Sequence, residues 1–324
     1  MSMVLRVTAL SFALSCALPL SARAAPRLWL VSSLDGKPPT PSWKYARLGQ
    51  QVELSAVLEP EVKGAKFEWF KLEPKDPFAD NTQPSFHFVP IHYEAIEIAA
   101  CRGRSVCPAD VTASRSSAPV LAGVGTMAFQ VAATLPDGSR LSTPGLEAVK
   151  YGGLTRAVHR VTFRRDDTYL GYLTELFNTP YIFGSAGPDG RNQTDLLIGS
   201  DCADLAVYGQ RRLGRKVAYT SSYGIEKPAP EVARAASLTE QGAARDDMGR
   251  AITYGPGKGQ VAVGDVLHFP NSRHVAVLYE DREPLGVLDA NDLMLHTCWA
   301  PPAVEPLSAN PRCVSLPWRV LRFK

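Results

Sequence analysis

The chain has few of the features that mark membrane, nucleic-acid-binding or repeat proteins. Of its 324 residues, only those at 7–20 form a long apolar run, so no later segment is expected to cross a bilayer. The 35 Lys and Arg nearly balance the 32 Asp and Glu, whereas a nucleic-acid partner usually needs a clustered basic face. Internal repeats and low-complexity tracts are absent, and cysteine is scarce. These absences favour a globular protein without a nucleic-acid partner or a membrane span.

The apolar run at the N terminus has the pattern of a signal peptide. Arg6 precedes it, and Ser21–Ala24 follows it as an A-x-A type cleavage site. We expect residues 1–24 to be removed and the protein to be exported, periplasmic or secreted. A lipoprotein anchor at Cys16 is a poor alternative, because Leu14 stands where a small side chain is expected. The remaining chain is long for one core, so we expect two domains, 25–150 and 151–324.

Cysteine spacing separates one thiol from the rest. Besides Cys16, the chain has five cysteines, which are two close pairs, Cys101 with Cys107 and Cys298 with Cys313, and the isolated Cys202. An oxidising compartment favours a disulfide within each pair. Two cysteines are weak grounds for a metal site, and we predict none. An odd thiol in an exported protein is a reactive nucleophile, an intermolecular partner or a buried small hydrophobe.

The local pattern around Cys202 favours the nucleophile. Apolar residues recur from Cys202 to Leu213 at helical spacing, Ser200 or Asp201 suits an N-cap, and Gly214 suits a stop. Cys202 is therefore expected in the first helical turn, where free backbone N–H groups and the helix dipole favour an anion. This position predicts a lowered thiol pKa and some thiolate near neutral pH.

Residues 25–150 predict an all-β, immunoglobulin-like sandwich. Alternating apolar residues mark strands at 52–58, 67–69 and 127–133, and Pro136–Ser139 is a hairpin turn.

The second domain mixes helices and strands in its pattern. We predict helices after Asp166-Asp167 and over Pro230–Ile252, and strands at Asp265–Phe269, His274–Tyr279 and Leu285–Leu288.

A nucleophilic thiol needs a base, and His274 is the best candidate. It opens a strand after a turn, and imidazole can accept the thiol proton and later give it to a leaving amine. A third polar group usually orients such a ring. Asp289, at the end of the next predicted strand, is the first choice for this role, with Asn291 and His296 as alternatives.

Several segments occur in the order found in NlpC/P60 cell-wall cysteine peptidases, which this part of the chain resembles. The resemblance covers about residues 165–295. The matching segments are Pro180–Gly184, Asp201–Leu205, Tyr219–Ser222, Gly264–Phe269 and His274–Tyr279.

The resemblance implies an α+β, papain-like domain without a cofactor, which cleaves amide bonds in peptidoglycan stem peptides. It assigns Cys202 as nucleophile, His274 as base and Asp289 as the orienting residue, and Tyr181 would support the oxyanion. Four features depart from the family pattern. Phe183-Gly184-Ser185 stands where Trp-Gly-Gly is usual after the Tyr. Ala203-Asp204 replaces Ser-Gly, and the third catalytic position, commonly His, Asn or Gln, is Asp. The loop before Cys202 is also expanded. Asp204 would place a negative charge by the substrate.

Two other functions remain open. The departures are compatible with a catalytically inactive binding or assembly protein of the cell envelope. A related thiol enzyme, such as a transpeptidase or a deamidating toxin, would have the same order of Cys and His. The oligomeric state is not encoded in any of these patterns.

Overall fold

A computed structural model describes residues 25–76, 78–80, 91–114, 122–150, 152–184 and 192–324. The predicted signal peptide and Cys16 lie outside these residues. The first half contains β1 (Arg27–Leu34), β2 (Lys44–Arg47), β3 (Val52–Glu59), β4 (Lys66–Pro74), β5 (Phe78–Asp80), β6 (Tyr93–Glu97), β7 (Val106–Pro108), β8 (Gly125–Thr134), β9 (Arg140–Ser142), β10 (Val149–Lys150), β11 (Gly153–Leu154) and β12 (His159–Arg164).

The second half contains both α-helices of the described residues and the remaining strands. These are α1 (Tyr169–Leu173), β13 (Tyr181–Phe183), α2 (Cys202–Arg212), β14 (Glu231–Ala235), β15 (Ser237–Leu238), β16 (Ala244–Arg245), β17 (Val266–Phe269), β18 (His274–Glu280), β19 (Leu293–His296), β20 (Ala303–Pro306) and β21 (Trp318–Leu321). Single 3-10 turns occur at Ala99–Cys101, Thr174–Leu176 and Gly224–Glu226.

Two sheets enclose the core of the first half. One has the order β1-β3-β7, and the other has the order β2-β12-β8-β4-β6 with β9 paired to β8. Apolar side chains from both sheets meet between them, including Leu54 from β3 and Trp69, Phe129 and Val161 from the larger sheet. The strand β12 lies after residue 150, the predicted end of the first domain, yet it pairs with β8 in the larger sheet of the first half.

The second half is built on a six-stranded sheet of order β14-β21-β17-β18-β19-β20. Side chains of β18 alternate between its two faces, as expected for a strand. Val275 and Val277 pack with α2 in one apolar cluster, whereas Ala276 and Leu278 pack in a second cluster with Leu267 and other residues. The sheet therefore separates two cores, and α2 lies on one side of it.

The predicted fold class, an α+β papain-like domain behind an immunoglobulin-like sandwich, is wrong. The structure is mostly β, with 38% strand and 9% helix. Its two α-helices span five and eleven residues. The predicted helix over Pro230–Ile252 is instead β14, β15 and β16, because β14 gains a hydrogen-bonded partner in β21 that lies far away in sequence. The strand predicted at Leu285–Leu288 is also absent from the described residues and contributes only an isolated bridge from Val287.

Candidate active site

The helix that carries Cys202 begins and ends as its sequence predicts. Asp201 is the N-cap, with extended backbone, and its Oδ1 accepts a hydrogen bond from the N–H of Asp204 at 2.7 Å. Cys202 is the first helical residue, and Gly214 leaves the helix end at a φ of +86°. A left-handed φ there suits glycine, which has no Cβ to clash. Local signals in the sequence thus explain the position of the thiol.

Burial changes the electrostatics that this position was expected to give. The Cys202 side chain is almost fully buried, and loss of hydration raises its pKa well above that of a free thiol. The carboxylates of Asp201 and Asp204 raise the pKa further, while N–H groups of Val275 and Ala203 oppose them less strongly. The thiol is therefore protonated at neutral pH in this state, and the expected lowering of its pKa is not found. A helix terminus stabilises an anion by about 1 kcal/mol, which is less than burial costs it.

Asp204 takes part in the core of this region and not in a substrate groove. Its side chain is fully buried, and Oδ2 accepts a hydrogen bond from Asn192 Nδ2 at 2.9 Å. Its predicted influence on a bound substrate can therefore act only through its charge. That charge raises the pKa of Cys202.

His274 is the first residue of β18 and is held on two sides. Its ring stacks on Phe269 of the neighbouring strand, with 5.8 Å between centroids and 9° between planes. Its Nε2 lies 2.8 Å from Nδ1 of His296, and Nε2 of His296 lies 2.7 Å from Oε1 of Glu305. Burial, with smaller contributions from His296 and His268, holds the pKa of His274 well below its usual value. The ring is neutral at neutral pH.

These hydrogen bonds determine which nitrogen of each ring carries a proton. The bond to His296 lowers the pKa of Glu305, so this carboxylate is ionised and must accept from Nε2 of His296. In the tautomer in which Nδ1 of His296 carries no proton, that nitrogen accepts from Nε2 of His274. Nδ1 of His274 then has a free lone pair. A general base requires such a lone pair.

The backbone brings His274 close to Cys202, but the two side chains are not hydrogen-bonded to each other. The N–H of Val275, the next residue along β18, points to the thiol and lowers its pKa slightly. Val275 faces the core that contains Cys202, and His274 precedes it on the alternate face. Within the described part of the chain, no hydrogen bond links the thiol with the His274 ring.

Asp289 does not orient His274. This carboxylate is buried, its Oδ1 accepts from the N–H of Asn291 at 2.6 Å, and its own N–H donates to Oδ2 of Asp292 at 3.0 Å. It stabilises a turn before β19. His296, one of the alternatives considered from the sequence, occupies the orienting position, because β19 and not the segment at 285–288 pairs with β18. The sequence feature that could have identified His296 is the apolar run Leu293–His296, which ends in this histidine.

Tyr181 lies in a group of aromatic rings, and its strand runs next to the segment before Cys202. It forms a bridge with Ser200, two residues before Cys202, and its ring centroid is 5.4 Å from that of Trp299. Phe78 and Phe183 contact the same two rings. Tyr181 is buried, whereas Phe78, Phe183 and Trp299 are exposed. We call these four residues the aromatic patch.

Both predicted disulfides are confirmed, and Cys202 is the free thiol of the described residues. These disulfides are compatible with an exported protein. No helix among the described residues is long and apolar enough to span a membrane. Comparison of the chain with protein-family models, with curated proteins and with solved structures finds no match.

Proposed function

We propose that the protein is a cysteine-dependent amide hydrolase in which Cys202 is the nucleophile and His274 the base. One observation carries the proposal: a hydrogen-bonded series runs from Glu305 through His296 to His274, next to the residue whose N–H points to the thiol. Burial of a carboxylate and two imidazoles costs free energy, and a strand with a purely structural role does not need these groups. The same series can orient the ring of a general base.

The pKa directions favour attack by a thiol that loses its proton during the reaction. The free protein holds a neutral Cys202 and a neutral His274, not a preformed ion pair. On substrate binding, the thiol must turn around the end of β18, where His274 lies on the face opposite to Val275, so that its proton passes to Nδ1 of His274 as sulfur attacks the carbonyl carbon. The N–H groups at the start of α2 stabilise the oxyanion.

Collapse of the tetrahedral species then breaks the carbon–nitrogen bond. The leaving amine takes the proton from His274, and a thioester between Cys202 and the acyl group remains. A water molecule gives its proton to Nδ1 of His274 and attacks the thioester, which releases the acid and restores the thiol. His296 and Glu305 keep the His274 ring in its orientation throughout.

The substrate class rests on the resemblance of the segments around Cys202 and His274 to cell-wall peptidases. It points to amide bonds of peptidoglycan stem peptides, and to a periplasmic or secreted enzyme. The aromatic patch includes Tyr181, whose strand bridges to Ser200 two residues before Cys202, and it offers an apolar surface for part of such a substrate.

Purified cell-wall sacculi provide the test. Wild-type protein should release soluble peptides, and Cys202→Ala and His274→Ala should reduce the release to background. A Cys101→Ser/Cys107→Ser variant, which lacks the distant disulfide, should retain it. Equal release by wild type and Cys202→Ala would remove Cys202 from the mechanism.

The alternative is a binding or assembly protein of the cell envelope without catalysis. The buried thiol between two carboxylates, with its raised pKa, favours this alternative. Alkylation of the native, unreduced protein distinguishes the two. Labelling of Cys202 that rises with pH and that sacculi slow supports the enzyme, whereas a thiol inert with and without sacculi supports the binding protein.

A further inference from the structure

The disulfide Cys298–Cys313 lies against the proposed base. A ring nitrogen of His274 and the two sulfur atoms are all within 4.8 Å of one another. Cys298 follows His296 by two residues, and the carbonyl of Cys313 accepts a hydrogen bond from Ser272 in the turn before His274. Both cysteines are thus fixed by elements that also fix the imidazole.

One ring nitrogen of His274 is near these sulfurs, and Nε2 is hydrogen-bonded to His296. In the tautomer in which Nε2–H donates to His296, Nδ1 has the free lone pair that a metal ligand needs. Metal-binding histidines usually donate their other N–H to a carboxylate, a carbonyl or another polar group, which fixes the ring and raises its basicity. The series through His296 to Glu305 has this form. The contacts that orient a base therefore also orient a metal ligand.

We propose that reduction of Cys298–Cys313 creates a binding site for a thiolate-preferring divalent cation such as Zn²⁺, with Cys298, Cys313 and His274 as its ligands. A dithiol reductant supplies two electrons and two protons, so the disulfide becomes two thiols and the reductant becomes a disulfide. The cation displaces both thiol protons, and neutral His274 donates through Nδ1. A water molecule completes the coordination.

The distances suit this cation. A tetrahedral zinc ion with sulfur at about 2.3 Å and nitrogen at about 2.0–2.1 Å holds its ligand atoms roughly 3.5–3.8 Å apart. The three atoms already lie within 4.8 Å, and the Cα atoms of the two cysteines are 6.6 Å apart, so small side-chain rotations bring them into place. Thiolate and imidazole ligands select zinc over magnesium or calcium. Cys298 is half-buried, which leaves it accessible to a reductant.

Occupation of this site would inhibit hydrolysis, a consequence that rests on the proposed function. A cation on Nδ1 of His274 takes the lone pair that the Cys202 proton needs. The oxidised protein has an available base, and the reduced, metal-loaded protein does not. The binding site itself does not depend on any catalytic activity.

Cobalt titration tests the site directly. Cys202→Ser protein, which lacks the free thiol, is reduced, freed of reductant without oxygen and titrated with Co²⁺ alone. We expect one equivalent to bind, with thiolate-to-cobalt charge-transfer absorption, and Zn²⁺ to displace it. The oxidised protein should show no such absorption. Combining Cys202→Ser with Cys101→Ser and Cys107→Ser should leave Co²⁺ binding unchanged, because that pair is not part of any potential metal-ligand group among the described residues. Combining Cys202→Ser with His274→Gln should weaken Co²⁺ binding about tenfold or more.

Several results would overturn the site. They are absence of charge-transfer absorption in the reduced protein, unchanged affinity in His274→Gln, and loss of the folded circular-dichroism spectrum on reduction. The inhibition is tested with reduced wild-type protein. Its release of peptides from sacculi is measured first with Zn²⁺ and then after addition of a chelator. If no state of the protein releases peptides, the proposed function fails and the cobalt result still decides the site.

Discussion

Nδ1 of His296 lies 2.8 Å from Nε2 of His274, and Glu305 holds the other side of the His296 ring. His274 is consequently a ring with one nitrogen committed and one available. The three side chains differ in what they contribute. Glu305 supplies a negative charge, His296 links this carboxylate to His274 by hydrogen bonds, and His274 has the free lone pair.

His296 should matter more to the reaction than Asp289. His296→Ala removes the acceptor that fixes the His274 ring, and we expect kcat for peptide release to fall about a hundredfold or more, with a smaller change in KM. Asp289→Asn keeps an oxygen that can accept from the N–H of Asn291, and we expect a change of less than about threefold.

His296→Gln serves as the conservative control. Its side-chain oxygen can accept from Nε2 of His274, so it should recover part of the lost kcat, provided that both variants have wild-type circular-dichroism spectra. A larger loss in Asp289→Asn than in His296→Ala would restore Asp289 as the orienting residue.

The position of Cys202 could be predicted, whereas its chemical state could not. Asp201 as N-cap, the helical spacing after it and Gly214 are local signals, and they identify where α2 begins and ends. The thiol pKa depends on burial beneath the neighbouring sheet, which is a tertiary property. The helix dipole lowers the thiol pKa, but desolvation of the buried sulfur raises it by more.

The partner of His274 shows a second limit. It is set by the pairing of β18 with β19, in which Leu295 lies opposite Val277. A strand predicted a few residues too early, at 285–288, moved the expected partner from His296 to Asp289. The predicted fold failed for the same reason, because short motifs identify local elements and the strand pairing of β14 with β21 is non-local.

Removal of the Asp201 charge should make Cys202 more reactive. The Asp201 carboxylate is the largest charge effect that raises the pKa of the thiol. Asp201→Asn keeps an N-cap, because Asn accepts from the same N–H group nearly as well. We expect the alkylation rate of Cys202 by iodoacetamide between pH 7 and 9 to rise several-fold, because loss of the carboxylate charge lowers the thiol pKa and increases the thiolate fraction.

The exposed hairpin residue Asp137 provides the matched control. Asp137→Asn should leave the alkylation rate unchanged, because Asp137 does not contribute to the thiol pKa. Mass spectrometry of the labelled peptide confirms that Cys202 is the site. An unchanged rate in Asp201→Asn would mean that access to the thiol, and not its ionisation, limits labelling.

The packing of α1 on α2 leaves no room for a side chain at Gly209. A Cβ there would lie 2.6 Å from Cδ2 of Leu173 and 2.7 Å from the Tyr169 ring. An alanine in a helix normally stabilises it relative to glycine, but this overlap forces both neighbours to move. We expect Gly209→Ala to lower the free energy of unfolding by about 1–3 kcal/mol, measured by urea denaturation. Arg211→Ala, on the exposed side of the same helix, removes surface contacts with Asp195 and Tyr219 and should change it by less than about 1 kcal/mol. A more stable Gly209→Ala would show that the two helices separate easily.

Mild acid should destabilise the first half of the protein through His159. Nε2 of this buried residue lies 2.8 Å from Oγ of Ser32, and burial lowers its pKa from 6.5 to about 4. Between these two values the unfolded chain binds a proton that the folded chain does not. Stability from this group is therefore complete above pH 6.5, falls as the pH drops to about 4, and stays low below it.

His159→Gln, which keeps a polar partner for Ser32 but does not titrate, isolates this effect. Burial raises the pKa values of Asp201 and Asp292 to about 6, so these two groups stabilise the folded protein as the pH falls. They do so equally in wild type and variant. The difference between the two free energies of unfolding at each pH therefore reports His159 alone. Urea denaturation at pH 4, 5, 6 and 7 should show the wild type losing up to roughly 3 kcal/mol relative to the variant between pH 7 and 4. Parallel stability curves for the two proteins would mean that His159 becomes protonated within the folded state without penalty, and that the contact with Ser32 adapts to the charge.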